Sequence, residues 1–152
     1  MAVFSRADFK TQSTVNREHK YFTIAEANRA LPLVRRIAED ARHAELQRRD
    51  LVDLSHTLEG NSMELRALER QFDQLTHRLF DLMEEFNQIG VDLKDPTRGL
   101  LDFPAQLDDR DILLCWELGE DSINHWHETH TGYASRRSVS EMQRCPAKRL
   151  IK

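Results

Sequence analysis

Apolar positions along the chain keep two different periods, and the change between them falls near Pro96. Leu65, Leu68, Phe72, Leu75, Leu79, Leu82, Phe86 and Ile89 alternate spacings of three and four, the seam of a heptad helix. Upstream, Val34, Ile37, Ala41, Ala44, Leu51, Leu54 and Leu58 form a second stripe, broken at Arg48. Thr23 followed by Glu26 fits a capping box at its start, with Phe22 in the staple position. Pro32 lies inside this pattern, where its ring opposes the carbonyl of Asn28 and removes a hydrogen bond, so a kink or restart is expected there. Gly60 and Asn61 in "EGNS" supply turn chemistry, and Gly90 stands where a left-handed C-cap belongs. Two antiparallel helices follow, at about 23–58 and 62–89, each roughly 40 Å or longer at 1.5 Å per residue.

Beyond Pro96 the period becomes that of strands. "GLLDFPAQL", "DILLCWEL" and "INHWHET", separated by the polar "DDR" and "GEDS", read as a three-stranded antiparallel meander within 99–129. Pro104 fits an edge strand or a bulge. The expected fold class is α+β: a long antiparallel helical hairpin with a small three-stranded antiparallel sheet at its base. One domain over 21–136 is flanked by a flexible leader, 1–20, and a basic tail, 137–152.

The 152 residues are enough for one core without staples, and the net charge of −4 is spread along the chain. Neither nucleic acid nor anionic lipid is an expected partner of such a body. Arg136, Arg137, Arg144, Lys148, Arg149 and Lys152, opposed by Glu141, are the exception. They lack the interleaved aromatics of a nucleic-acid surface, so a solvated end is expected. No run reaches the ~20 apolar residues of a membrane span, and no signal-peptide type of segment opens the chain, so a cytoplasmic location is expected. Cys115 and Cys145, widely spaced and without a CxxC pattern, read as free thiols.

The densest chemistry lies in "ILLCWELGEDSINHWHETHTGY", Ile112 to Tyr133. On a strand, Ile123, His125 and His127 share one face while Asn124 and Trp126 share the other. Two imidazoles so spaced can chelate one ion, but a zinc or iron site needs a third protein ligand. Turn parity around Gly119 and Glu120 selects it. An odd connection puts Cys115 and Glu117 beside the histidines; an even one brings Leu114 and Trp116 there, with further ligands from the helices or His130. The metal candidates are therefore His125, His127, Cys115 and Glu117, with zinc or iron as the ion. The odd register would also permit a Cys/His nucleophilic pair. The same residues equally read as polar side chains at a core edge, with Trp116 and Trp126 as core aromatics and Cys115 as a small buried hydrophobe. A metal-free site, in which a histidine binds or protonates a small ligand, is a third reading. Asp102 in "LLDFP" sits among apolar neighbours and needs a partner, for which Arg136 or Arg98 are candidates. Asp95 before Pro96 is expected only to shape a turn.

"YFTIAEANRALPLVRRI", "GVDLKDPTRGLLDFPAQ", "LLCWELGE" and "WHETHTGYASR" together resemble the bacterial family known as domain of unknown function 2203, over Tyr21 to Arg136. The resemblance implies no activity and assigns no catalytic residue. Asp102, Cys115, Trp116, Glu120, Trp126, His127 and Arg136 match the family pattern, while His130 lies outside it. That set is more polar than a core requires. A small-ligand or metal-binding module centred on His127 is expected, with Asp102, Trp116, Glu120, Trp126 and Arg136 as ligand-binding candidates. The alternative is a homodimeric coiled-coil-type interaction module with no chemistry. A homodimer through the helical hairpin is the expected assembly, because part of both stripes stays open in a monomer.

Overall fold

Helix α1 (Ile24–Ser55) starts where the Thr23 hydroxyl accepts the amide of Glu26 at 3.1 Å, the hydroxyl half of the capping box. This arrangement comes from a computed structural model that describes residues 20–60 and 62–143. The expected break at Pro32 does not occur: α1 runs through it. Pro32 is exposed, so water can take the place of the lost backbone bond. Helix α2 (Met63–Ile89) is capped by the Ser62 hydroxyl on the amide of Leu65, at 3.1 Å. It ends as expected at Gly90, whose φ of 92° is left-handed and whose amide donates to the carbonyls of Phe86 and Asn87.

The two helices pack antiparallel along Val34, Ile37, Ala38 and Ala41 of α1 and Leu79, Leu82 and Phe86 of α2, all buried. Toward the hairpin tip the seam thins. Leu65, Phe72 and Leu75 are half-buried, and Leu54 and Met63 are 49% and 85% exposed.

The sheet is antiparallel, as expected, but has five strands and not three: β1 (Asp92–Asp95), β2 (Leu100–Leu107), β3 (Arg110–Glu117), β4 (His125–Glu128) and β5 (Arg137–Ser138), in that order. The two additional strands are short edge elements, too short to carry an apolar alternation of their own. A 3-10 turn (Tyr133–Ser135) precedes β5, and a one-turn helix α3 (Ser140–Gln143) follows it, so the start of the predicted tail is built into the domain. The leader 1–19, Asn61, Cys145 and the remaining basic tail lie outside the described residues. Asp108 and Asp109 both take positive φ, which gives β2 and β3 the twist of a two-residue hairpin.

Pro104 falls where β1 no longer covers β2, since β1 pairs only with Leu100–Asp102. That local edge is closed by the segment leading into α1: the Phe22 amide donates to the Pro104 carbonyl at 2.7 Å, and the Phe22 ring meets Phe103 edge-on at 5.3 Å. Leu101, Phe103, Ala105, Ile112, Leu114, Trp116 and Trp126 line the core face of the sheet and join the helices in one apolar cluster. Ile123 also enters this cluster, ahead of β4, and does not share the face of the histidines. Among the described residues no helix is long and apolar enough to cross a membrane.

Candidate functional site

Strand register decides which polar side chains meet on the other face. Cys115 pairs with Asp102 on one side and with His125 on the other, and Leu113 pairs with His127. The connection thus has the odd parity, with 116–124 between Cys115 and His125, so the cysteine and both histidines share the face away from the helices.

Three of these side chains converge. One ligand atom each from Asp102, Cys115 and His127 lies within 4.8 Å of the others. They are 3%, 1% and 3% exposed respectively, so this is a buried polar cluster in a well-packed sheet. His127 Nε2 stands 3.1 Å from Asp102 Oδ1, and His127 Nδ1 stands 2.7 Å from the carbonyl of Glu128. A carbonyl can only accept, so Nδ1 carries the hydrogen there. Nε2 and a carboxylate oxygen then approach each other as two acceptors unless a proton or a cation lies between them. Asp102 thus finds its partner in a histidine, not in the arginines the sequence offers.

Cys115 is not a thiolate. Burial pushes its thiol up to about 12, and the Asp102 carboxylate, which also takes its hydrogen bond, adds to the shift; Arg136 opposes it more weakly. His127 cannot serve as its base while Nδ1 is tied to a carbonyl and Nε2 faces Asp102. The odd register therefore brings cysteine and histidine together without producing the nucleophilic pair it would have permitted.

His125, Glu117, Glu120 and Arg136 form a second cluster beside the first. Arg136 Nη2 donates to the Glu120 carboxylate, whose oxygens stand at 2.6 and 2.8 Å, and lies 2.9 Å from His125 Nδ1 and 3.4 Å from the Cys115 carbonyl. Arg98 donates to Glu117 at 2.8 Å. Burial opposes ionisation of Glu117, but hydrogen bonds from Arg98 and Tyr133 outweigh it and hold the carboxyl below its usual range. Tyr133 is clasped between two guanidinium groups, 3.9 Å from Arg98 and 4.6 Å from Arg136. Glu120 also accepts the amide of Glu117 at 2.7 Å. Its carbonyl accepts the Trp116 indole at 3.0 Å and Arg35 of α1 at 3.3 Å. Asn28, two turns earlier on the same helix face, accepts the amide of Ile123 at 2.8 Å, so α1 clamps the β3–β4 connection twice.

Trp116 and Trp126 lie on the core face, and Trp116 touches the second cluster only through the Glu120 carbonyl. Asp95 shapes a turn, as expected, through bonds from the amides of Thr97 and Arg98. Beside the first cluster lies a cleft of about 270 Å³, lined by Asp102, Cys115 and His127 and by Lys94, Thr129 and Tyr133. Sequence reasoning named the first three but not the last three. Lys94 belongs to a strand too short to show a period, Thr129 ends the last strand legible in the sequence, and Tyr133 lies beyond it. The Glu128 carbonyl, being backbone, leaves no side-chain signal at all.

A family profile described as an uncharacterized conserved protein, DUF2203, matches residues 20–139. Neither the curated proteins nor the solved structures contain a match to the chain.

Proposed function

The chain belongs to the DUF2203 family, and we propose that it is a metal-binding module in which Asp102, Cys115 and His127 hold one transition-metal ion. The reading is carried by one observation: three buried donors of different chemistry converge within 4.8 Å, and the histidine's far nitrogen is already fixed on a carbonyl. Metal-bound histidines characteristically donate their other N–H in this way, which sets the tautomer and aims the free lone pair. A cation among the donors also relieves the meeting of two acceptors at Asp102 and His127.

A sulfur, a nitrogen and an oxygen suit a borderline ion such as zinc or iron better than magnesium or calcium, which take oxygen ligands. Three protein ligands beside a cleft match zinc sites that keep a position open, not closed structural ones. Such an ion, when bound, supplies Lewis acidity. The chain holds it, keeps bulk water from its inner side, and walls the approach with Tyr133. Because Cys115 is a neutral thiol without the ion, uptake releases its proton.

Elemental analysis of protein purified without affinity tag or chelator tests this. About one ion per chain is expected, lost in His127→Ala and in Asp102→Ala while circular dichroism keeps the α+β signature. Cobalt loading should give thiolate-to-cobalt charge-transfer absorption that Cys115→Ser abolishes. A wild-type chain that takes up neither zinc, iron nor cobalt refutes the proposal.

The hairpin supports a second reading alongside this one, a homodimer closed through its outer half. Exposed Leu54 and Met63 and the half-buried seam of Leu65, Phe72 and Leu75 favour it, since a four-helix arrangement would cover them. Sedimentation equilibrium of the wild type against Phe72→Glu tests this assembly; a monomer in both removes it.

A further inference from the structure

The cleft above the three donors has its own composition. Apart from the donors, Lys94 is the charged residue of its lining, and it is exposed. Among the described residues Lys94 pairs with no carboxylate, and the Thr129 hydroxyl has no partner. The nearby guanidinium groups are already engaged, Arg98 by Glu117 and Arg136 by Glu120. Tyr133 spends its hydroxyl on Glu117, and Thr131 donates to the Glu128 carbonyl at 3.1 Å. Leu100 and Leu113 make part of the lining apolar.

Charge then selects the ligand. A divalent ion held by the Asp102 carboxylate and the Cys115 thiolate is neutralised by them, which leaves the Lys94 ammonium as the unbalanced charge of the cleft. One ammonium and one hydroxyl balance a single negative charge; a phosphate dianion would leave a second charge unbalanced over this lining. At about 270 Å³ the cleft lies just below the size range of drug-sized ligand pockets, which suits a small guest.

We infer that the cleft takes a small organic monocarboxylate, its carboxylate on Lys94 and Thr129, its short apolar body over Leu100 and Leu113, and a neutral oxygen toward the open metal position. This rests on the metal reading above, and it goes further by naming the class of molecule admitted.

The test uses the full chain loaded with cobalt, its metal content measured first, then titrated by calorimetry and visible absorption with lactate, with the uncharged isostere lactamide, and with inorganic phosphate. Lactate should bind about fivefold or more tightly than lactamide and perturb the cobalt bands. Lys94→Gln should erase that preference with metal content unchanged. Equal binding of lactate and lactamide, binding of neither, tighter binding of phosphate, or a preference that survives Lys94→Gln overturns the inference at one metal per chain. Failure to load metal is seen before any ligand is added; it overturns the metal centre and this inference with it, so the two failures are told apart.

Discussion

Replacing His127 with leucine in metal-free protein isolates the buried pair from any ion. The two side chains are 3% and 4% exposed and 3.1 Å apart, so the substitution leaves the Asp102 carboxylate buried with the Cys115 thiol as its remaining donor. Removing one partner of a buried pair costs about 3–5 kcal/mol, and the surviving thiol hydrogen bond places this case near the lower end, about 3 kcal/mol. For a domain of this size that is a fall in Tm of roughly 10–15 °C. Asp102→Leu strands the imidazole instead, at about 1–3 kcal/mol. The double replacement leaves neither group stranded, so it should cost about 2 kcal/mol less than the sum of the singles. Urea unfolding in the presence of EDTA, followed by circular dichroism, measures all four corners of the cycle. If the double variant equals the sum of the singles within about 0.5 kcal/mol, the two residues do not act as a unit and the buried-pair argument fails.

Three further outcomes follow from the geometry. Because the Cys115 pKa is raised by burial, the unfolded chain loses the thiol proton first, so wild-type stability relative to Cys115→Ala should fall as pH rises from about 9 toward 12, read from urea midpoints; a constant difference refutes it. Gly99→Ala meets both a φ of +65° and a Leu118 Cβ 2.6 Å from the new methyl, and should cost about 2–3 kcal/mol in thermal unfolding, not recovered by adding Leu118→Ala, which keeps that Cβ. Arg136→Ala frees Glu120 and one side of the Tyr133 clasp, and should destabilise by about 2–4 kcal/mol with quicker amide exchange over 129–136; Arg136→Lys should recover only a fraction, since an ammonium can take up the contact with Glu120 but lacks the planar guanidinium that lies against the Tyr133 ring.

The hairpin is legible in the chain because its signals are local: a seam that never misses from Leu65 to Ile89, a serine cap, and a glycine at the left-handed stop. The three central strands are legible for the same reason. Strands β1 and β5 are not, since four residues ending at a turn and two residues beside an arginine carry no usable period. The site is legible only in part. "LLDFP" announces a carboxylate in need of a partner, but which partner depends on the register of β2 against β3 and on the parity of 116–124, both settled by packing far along the chain. Core packing of Trp116 and Trp126 settles that parity: with the odd register both indoles face the helices, and the histidines are left to face the cleft. Arg98 and Arg136, sensible partners for Asp102 by charge, are drawn off by Glu117 and Glu120 on the outer rim.

The double clamp of α1 on the β3–β4 connection gives the hairpin the mechanics of a lever. Asn28 and Arg35 grip that connection near the base of the helix, about 10 Å apart, while Ser55 at the tip lies roughly 30 Å beyond Arg35. For a stiff rod pivoting between those grips, a tilt that carries the tip about 3 Å moves the clamped segment by only about half an ångström. The cleft lies across the sheet from that fulcrum, so a swing of the tip, or its capture by a partner, reaches the donors of the site only through this small displacement.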